Sequence, residues 1–373
     1  MRRLLIVMVA GMTLLAPVAL GGLAGASVFP GTNGKIAFAV PGPDGNSDVF
    51  TINPDGTHEA QIGAGLGCQA WSPDGSKILV CVWQGSPLGQ TRPATANPDG
   101  SDFTLLDHYP ELQQGLFCAY WSPNGARFLC NSNDQVGTPP PPGAVGIYTV
   151  RSSDGGDLAQ VIATPDGSFD VGRGYSPDGS RILFLRIDQS NDHAALYAVN
   201  PDGTNLLRLS PPGLSVIEFD FFEGLEDWSP DGSRVTFAAG DLSRQGSPTA
   251  LYVVNADGTG LRQIAPSGVG ALSAQWSPNG RLIAFTSCCG LHAPQVWVVH
   301  PDGTGLRQVT VPTSGSASLT PVWSPDGTKF LFQRIDRGDR VDLLTVSADG
   351  TGLSKVTDLP GRTSYAWGTA PLS

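Results

Sequence analysis

The sequence predicts an all-β fold, a seven-bladed β-propeller of four-stranded antiparallel blades closed by the C-terminal strand. Three observations lead to this prediction: one motif recurs through the chain, short apolar strands follow each copy, and the incomplete repeats at the two ends complement each other. The chain contains 48 Gly and 31 Pro and is still 40% hydrophobic, which is typical of short strands joined by many turns. Six blades are the alternative, because residues 94–97 make a weak third strand in blade two.

The recurring motif is Trp-Ser-Pro-Asp-Gly or a close variant, repeated roughly every fifty residues. In a type I turn, Pro presets φ at the first central position and Asp or Asn suits the second. Gly then takes the left-handed conformation that lets the hairpin close. The copies begin at Trp71, Trp121, Tyr175, Trp228, Trp276 and Trp323.

Each repeat contains two such hairpins. In the fourth blade, an apolar strand at 181–184 follows the motif, the next strand covers 195–199, and a turn at 200–204 leads to a last strand at 206–209. Four antiparallel strands make one propeller blade. The aromatic residue of the motif ends the first strand, where we expect its flat ring to pack between neighbouring blades.

The two ends of the chain supply parts of one blade. Residues 34–38 read as a second strand without a first, and residues 365–368 read as a first strand without a successor. We therefore expect the C-terminal strand to pair beside the N-terminal strands, because this closes the ring and removes the free sheet edges. Counting both remnants gives seven blades.

The first 26 residues read as a secretory signal peptide. Arg2 and Arg3 precede an apolar run, and Ala24-Gly25-Ala26 offers small residues for cleavage after Ala26. A membrane anchor is the rival interpretation, but Gly and Pro interrupt the run and no cationic stop-transfer cluster follows it. We expect residues 27–373 to form a single propeller domain, secreted or periplasmic, with no membrane span.

Composition and motifs argue against several functions. The formal net charge of −11 repels phosphate backbones, so we expect no nucleic-acid partner. The sequence contains no Gly-x-Ser-x-Gly, His-Glu-x-x-His or phosphate-binding glycine loop, so enzyme chemistry is unsupported. Turn chemistry explains the Pro-Asp-Gly aspartates without calcium. We therefore predict no cofactor and no metal site.

The repeated motifs resemble the TolB-like β-propellers, whose WD40-like repeat is marked by Trp-Ser-Pro-Asp-Gly, an Ile-Ala-Phe-type strand and Asn-x-Asp-Gly. The resemblance covers nearly all of residues 27–373 and implies the propeller fold. The family includes periplasmic scaffolds that bind lipoprotein and peptide partners, and propeller domains attached to peptidases. With six residues after Trp367, we expect no catalytic domain on this chain.

Strand order places the Ser-Pro-Asp-Gly and Asn-Pro-Asp-Gly turns on one rim, here called the uniform rim. The opposite side, the variable-loop face, carries loops of differing length and is where we expect binding. One connection on that face breaks the repeat with acids among Phe residues. Its predicted binding residues are Glu218, Asp220, Phe221, Phe222, Glu223, Glu226 and Asp227. The alternative is a long loop whose Phe residues plug the channel mouth while the acids stay solvated.

Two further segments on this face match each other. Arg186-Ile187-Asp188 and Arg334-Ile335-Asp336 end the second strands of blades four and seven. They could line a polar entrance, but we expect a local Arg–Asp pair that orders the loop.

Six cysteines in an exported chain indicate disulfides rather than a metal site. Folding the hairpin about Asp74-Gly75 places Cys68 opposite Cys81. Cys118 and Cys130 flank the equivalent turn one residue out of register, so their pairing needs a bulge; Cys68 with Cys118 is the alternative. The adjacent Cys288 and Cys289 form a vicinal ring or stay free.

The leading hypothesis is a monomeric, non-catalytic binding or scaffold propeller that recognises a protein, peptide or glycan on its variable-loop face. The competing hypothesis is an exported hydrolase or lyase with its site at the channel mouth. A third possibility is a stand-alone propeller that gates a separate peptidase.

Overall fold

The structure, a computed structural model, describes residues 29–42, 47–64, 66–84, 90–106, 116–132, 145–191, 193–216, 226–240, 249–287, 293–312, 315–336, 338 and 340–371. Within these ranges the chain forms twenty-nine β-strands and one 3-10 helix, Ser267–Val269. No helix in them is long and apolar enough to cross a membrane.

The first fifteen strands, listed in chain order, belong to blades one to four. They are β1 (Asn33–Pro41), β2 (Ser47–Ile52), β3 (Ala60–Gly63), β4 (Leu66–Trp71), β5 (Ile78–Gln84), β6 (Gln90–Ala96), β7 (Thr104–Leu105), β8 (Leu116–Trp121), β9 (Arg127–Ser132), β10 (Gly146–Arg151), β11 (Ala159–Ala163), β12 (Ser168–Tyr175), β13 (Ile182–Asp188), β14 (His193–Val199) and β15 (Leu207–Arg208).

The remaining strands form blades five to seven, and the last one returns to blade one. They are β16 (Ser215–Val216), β17 (Glu226–Trp228), β18 (Arg234–Gly240), β19 (Ala250–Asn255), β20 (Arg262–Ala265), β21 (Ala271–Trp276), β22 (Ile283–Ser287), β23 (Val296–Val299), β24 (Arg307–Gln308), β25 (Ala317–Trp323), β26 (Lys329–Ile335), β27 (Val341–Ser347), β28 (Ser354–Leu359) and β29 (Tyr365–Thr369).

These strands form seven antiparallel sheets, so the prediction of seven blades is confirmed and the six-blade alternative is wrong. In blade five, β16 and β17 both pair with β18 and together form the innermost strand. In blade two, β6 pairs with β5 along its whole length. The sequence predicted a weak strand here because alanine has low β-propensity. Ala94 and Ala96 are nevertheless fully buried between blades.

The C-terminal strand closes the ring, as predicted. β29 is the innermost strand of blade one and pairs with β1, placing Trp367 opposite Ile36 and Tyr365 opposite Phe38. The indole N–H of Trp367 donates to the Gly34 carbonyl at 3.2 Å. Strands from the two ends of the chain therefore share one hydrogen-bonded sheet.

In blades two to seven, the turn between the first two strands is built by its own side chains. In blade five, Ser229 Oγ donates to Asp231 Oδ1 at 2.6 Å, and the backbone N–H of Ser233 donates to the same oxygen at 3.0 Å. The Ser229 hydroxyl, followed by the Ser233 donors, lowers the pKa of Asp231 to about 2. Gly232 has φ +68°, the left-handed conformation that the turn requires.

The core lies between the blades. Of the seven buried clusters in the described part of the chain, six combine residues from two neighbouring blades, and the one around Tyr175 combines blades three and four with Cys81 of blade two. The motif tryptophans contribute to these clusters, as expected, and several also form hydrogen bonds across the blade boundary. Trp121 Nε1 donates to the Ala70 carbonyl at 3.1 Å, and Trp323 Nε1 donates to the Gln275 carbonyl at 3.2 Å. Burial and hydrogen bonding thus join each blade to the next.

One predicted disulfide is present in full. Cys118 and Cys130 are bonded, their Cα atoms are 3.9 Å apart, and a bulge after Cys118 brings them into register. The predicted bulge is confirmed, and the alternative pairing of Cys68 with Cys118 is wrong. Cys81 is also disulfide-bonded; its Cα lies opposite Gly67 rather than Cys68, which sits at a bulge. The Cys68 side chain and the Cys288-Cys289 pair lie outside the described part of the chain.

Candidate functional site

The uniform rim contains both kinds of turn, as strand order predicted. In blade five, the Ala256 N–H at the second turn donates to the Ser233 carbonyl at the first, at 2.8 Å. A similar bond in blade three joins Ser152 to Ala126 at 2.9 Å. The second and third strands of each blade are therefore joined on the opposite side, the variable-loop face.

The acidic segment predicted to bind lies almost entirely outside the described ranges. Residues 218–225 are not among them, and of Glu226 only the backbone, at the start of β17, is described. Asp227 is described, and its Oδ2 accepts the backbone N–H of Trp276 at 3.0 Å. This Asp227 contact joins blades five and six. A binding role for the remaining acids and for Phe221 and Phe222 stays a prediction.

The Arg186 side chain forms an ion pair, but with a partner that the sequence did not indicate. Arg186 Nε donates to Asp170 Oδ1 at 2.8 Å, and its second terminal nitrogen donates to Oδ2 at 2.7 Å. Asp170 stands directly opposite Arg186 in the pairing of β12 with β13. The expected local pair with Asp188 is therefore wrong.

Asp188 instead stabilises the turn that follows β13. Its carboxylate accepts the Ser190 hydroxyl at 2.6 Å and the Ser190 backbone N–H at 2.8 Å. These hydrogen bonds, the hydroxyl first, lower the pKa of Asp188 below its usual value. The two charged residues of the Arg-Ile-Asp segment thus have separate structural partners.

Asp170 is fully buried, and its charge is neutralised within the blade. None of its side chain is exposed, while the Arg186 side chain is 17% exposed. A third donor, the Thr164 hydroxyl, reaches Asp170 Oδ2 at 3.0 Å. Burial of a charge is tolerated when the group is paired and hydrogen-bonded in this way. The pair therefore fixes the Arg186 guanidinium in one position at the edge of the sheet.

Two aromatic rings support the same guanidinium. Phe184 and Tyr197 are stacked with centroids 5.4 Å apart, and Arg186 Cζ lies 5.5 Å and 5.4 Å from them respectively. Guanidinium groups are attracted to aromatic faces at this distance. The Arg186 guanidinium and the rings of Phe184 and Tyr197 therefore form one ordered surface.

This surface lines a pocket of about 410 Å³ on blade four. The exposed His193 and the Arg208 guanidinium, which donates to the Ser210 carbonyl at 3.1 Å, form other parts of its wall. The pocket thus combines cationic, aromatic and hydrogen-bonding groups, the mixture that orients a polar ligand. Its lining is Ser168, Arg186, Asp188, Asn191, His193, Ala194, Ala195, Tyr197, Arg208, Pro212, Gly213 and Leu214.

The sequence offered a polar entrance lined by the Arg-Ile-Asp segment of blade four only as the alternative to a local pair, and this pocket agrees with that alternative. The sequence did not single out Asp170, Tyr197, His193 or Arg208. The available signal was the position of Asp170, the one acid on the innermost strand β12, five residues before the motif aromatic Tyr175. Arg208 and the turn at 211–214 reach the pocket only through the folding of the blade.

The chain is similar to known proteins along most of its length. Residues 214–367 match the family model of the TolB beta propeller domain. The structure of TolB from Acinetobacter baumannii matches 90% of this chain and 66% of its own, with 17% identity and a TM-score of 0.52.

Two solved enzyme structures also match. A prolyl endopeptidase matches over 91% of this chain and 51% of its own, with 14% identity and a TM-score of 0.65. Oligogalacturonate lyase from Vibrio parahaemolyticus matches over 88% and 86% respectively, with 15% identity and a TM-score of 0.57. The chain spans about half of the endopeptidase and about two thirds of TolB. At these identities, the likeness of the three structures shows the fold alone.

Proposed function

Since this chain is a TolB-like β-propeller, with residues 214–367 matching the family's domain model, we propose that it is an exported, non-catalytic binding or scaffold module. Its ligand is a protein, peptide or glycan that docks on the variable-loop face. The observation that carries the proposal is the blade-four pocket, where a fixed guanidinium, an aromatic ring and an imidazole surround a volume of about 410 Å³.

The pocket suits recognition because its charges are already positioned. Asp170 holds Arg186 by two short hydrogen bonds, so little side-chain freedom is lost when a ligand binds. Tyr197 contributes an aromatic side chain to the pocket wall, and the exposed His193 lines the same pocket. These features support a ligand with both polar and flat apolar surfaces.

An extracytoplasmic location is part of the proposal. The Cys118–Cys130 bond supports it, because structural disulfides persist in oxidising compartments. Residues 1–26 supply the expected signal peptide. We propose that residues 27–373 act there as a monomer, which light scattering of the purified protein would test.

A binding screen tests the function. Residues 27–373 would be immobilised and probed with a glycan array and with an extracytoplasmic protein extract, and the wild type compared with Tyr197→Ala and Arg208→Glu. The matched control is Arg262→Glu, because Arg262 also donates to a backbone carbonyl, that of Pro301 at 2.6 Å, but does not line the pocket. We expect the two pocket variants to lose the ligand and the control to retain it.

Equal binding by all four proteins would reject the blade-four pocket as the site. A parallel variant, Glu218→Gln with Asp220→Asn and Glu223→Gln, tests the acidic segment in the same assay. Turnover of an arrayed ester, peptide or polysaccharide would instead favour the alternative, an exported hydrolase or lyase at the channel mouth. The assay therefore separates recognition from catalysis.

A further inference from the structure

Blades four and seven each have an arginine at the same position of the second strand, but a different residue stands opposite it in each blade. Arg186 on β13 faces Asp170 on β12, and Arg334 on β26 faces Ser318 on β25. Asp170 and Ser318 each stand five residues before the motif aromatic of their blade. Ser318 therefore occupies in blade seven the position that the buried carboxylate occupies in blade four.

The blade-seven arginine has one of the two aromatic contacts seen in blade four. Arg334 Cζ lies 5.7 Å from the centroid of Phe332, close to the 5.5 Å that separates Arg186 from Phe184. The position along the strand and the ring contact are therefore alike in the two blades. The acceptor in front of the guanidinium differs, and so does the second ring, because Leu344 stands opposite Phe332 where Tyr197 stands opposite Phe184.

Two buried donors at this position have no acceptor among the described residues. Arg334 Nε is buried without a hydrogen-bond partner, and so is the hydroxyl of Ser318, a residue with 0% exposure. Buried polar groups are nearly always hydrogen-bonded in folded proteins, so two unpartnered groups on neighbouring strands mark a place for an acceptor. In blade four that acceptor is the Asp170 carboxylate.

Two acids near Arg334, Asp342 and Asp358, are bound by other cations. Asp342 stands opposite Arg334 on β27, but its carboxylate is bound by Arg340 Nε at 3.2 Å and by Lys355 Nζ at 3.1 Å. Asp358 is bound by the same two cations. Neither Asp342 nor Asp336 forms an ion pair with Arg334 within the described ranges. The half-buried guanidinium therefore carries a positive charge that these acids leave unpaired.

We propose that Arg334 and Ser318 form a binding site for a ligand carboxylate beside the channel mouth on the variable-loop face. The carboxylate accepts two parallel hydrogen bonds from Arg334, as Asp170 does from Arg186 at 2.8 Å and 2.7 Å. The Ser318 hydroxyl is the third donor, in the role that Thr164 has in blade four. This site lies on a different blade from the proposed pocket and does not depend on it.

The first test uses acetate as the probe, with sodium chloride at equal ionic strength as the reference. The Arg334 Nε–H signal would be followed by NMR in protein labelled at arginine and identified by its loss in Arg334→Lys. We expect a saturable shift in the wild type. Ser318→Asp supplies an internal carboxylate and is expected to weaken acetate binding at least about tenfold, the size of effect typical of a charge-assisted hydrogen bond.

Two further variants show whether the charge at these positions is what controls acetate binding. Ser318→Asn has nearly the shape of Ser318→Asp without the charge and should still bind acetate. Asp170→Ser should add a second acetate-responsive signal, that of Arg186. If Ser318→Asp does not fold, Arg334→Gln is used instead, with binding read from the backbone amide of Ile335 and the same tenfold loss expected.

The source of the carboxylate is distinguished by two pairs of ligands. Trialanine is compared with trialanine amide to test a peptide C-terminus, and galacturonate with galactose to test an acidic sugar. In the pair that represents the natural ligand, the acid should bind more tightly than its neutral partner. The proposal is overturned if acetate causes no saturable shift in the wild type, or if Ser318→Asp and wild type respond equally.

Discussion

Replacing Asp170 with Asn keeps the shape of the side chain but removes the charge that faces Arg186. None of the Asp170 side chain is exposed, so the guanidinium would lose the anion that binds it in a poorly hydrated place. Breaking a buried pair in this way costs about 3–5 kcal/mol. Because the Arg186 side chain keeps 17% exposure and its ring contacts, we expect the lower end, about 3 kcal/mol.

Urea denaturation followed by fluorescence measures this loss, provided that the m-value stays constant. For a chain of 373 residues, unfolding entropy of about 0.8 kcal/mol per kelvin converts the same loss into a fall of about 4 °C in Tm. A double-mutant cycle with Arg186→Met separates the pair from its surroundings. We expect a coupling energy of about 2 kcal/mol or more.

The matched control is Asp154→Asn, which breaks the exposed Arg151–Asp154 pair with a 2.9 Å contact. Exposed pairs contribute little, so its denaturation midpoint should stay close to that of the wild type. The reasoning is refuted if Asp170→Asn is as mild as this control, or if the effects of Asp170→Asn and Arg186→Met are additive.

Three further predictions concern the turns and the disulfide. The pKa of Asp231 is about 2 in the folded protein against an ordinary 3.8, so its stabilising effect is present above pH 4 and is lost as pH falls towards 2. In Asp231→Asn, the free energy of unfolding should therefore change less over that pH range. Asn279 builds the same turn in blade six without a charge, so the turn should survive the substitution. Asn205 has φ +54°, so Asn205→Gly relieves left-handed strain but adds backbone entropy to the unfolded chain, and a net stabilisation of about 0.5–1 kcal/mol in urea is expected. An unchanged or lower denaturation midpoint would contradict this. Replacing both Cys118 and Cys130 with Ala should cost about 3 kcal/mol, and a change under about 1 kcal/mol would contradict the loop-entropy argument.

The fold could be predicted from the sequence because its turns and strands are specified by short segments of the chain. The Pro-Asp-Gly turns fix where each hairpin reverses, and the apolar runs between them identify the strands. The count of seven followed from the incomplete repeats, which the pairing of β1 with β29 bears out. The same local reasoning undervalued β6, because burial against a neighbouring blade outweighs the propensity of its alanines.

The candidate sites were harder to predict from the sequence, because they depend on which residues stand opposite each other on paired strands. Sequence proximity suggested Asp188 for Arg186, but residues two apart on a strand compete with the directly opposed cross-strand neighbour. Antiparallel pairing selected Asp170, sixteen residues away. The bulges after Gly67 and Cys118 likewise decided the cysteine registers.

The sequence alone determined the all-β class, the blade count and the closing strand, because turn chemistry and strand patterning act over a few residues. Only the tertiary structure decided that Asp170 neutralises Arg186 while Ser318 leaves Arg334 without an acceptor among the described residues. That distinction requires two distant strands to be paired in register and buried together, since burial is what makes a missing acceptor costly. Repetition thus specifies the scaffold, and the presence of Ser318 in blade seven where blade four has Asp170 specifies the proposed carboxylate site.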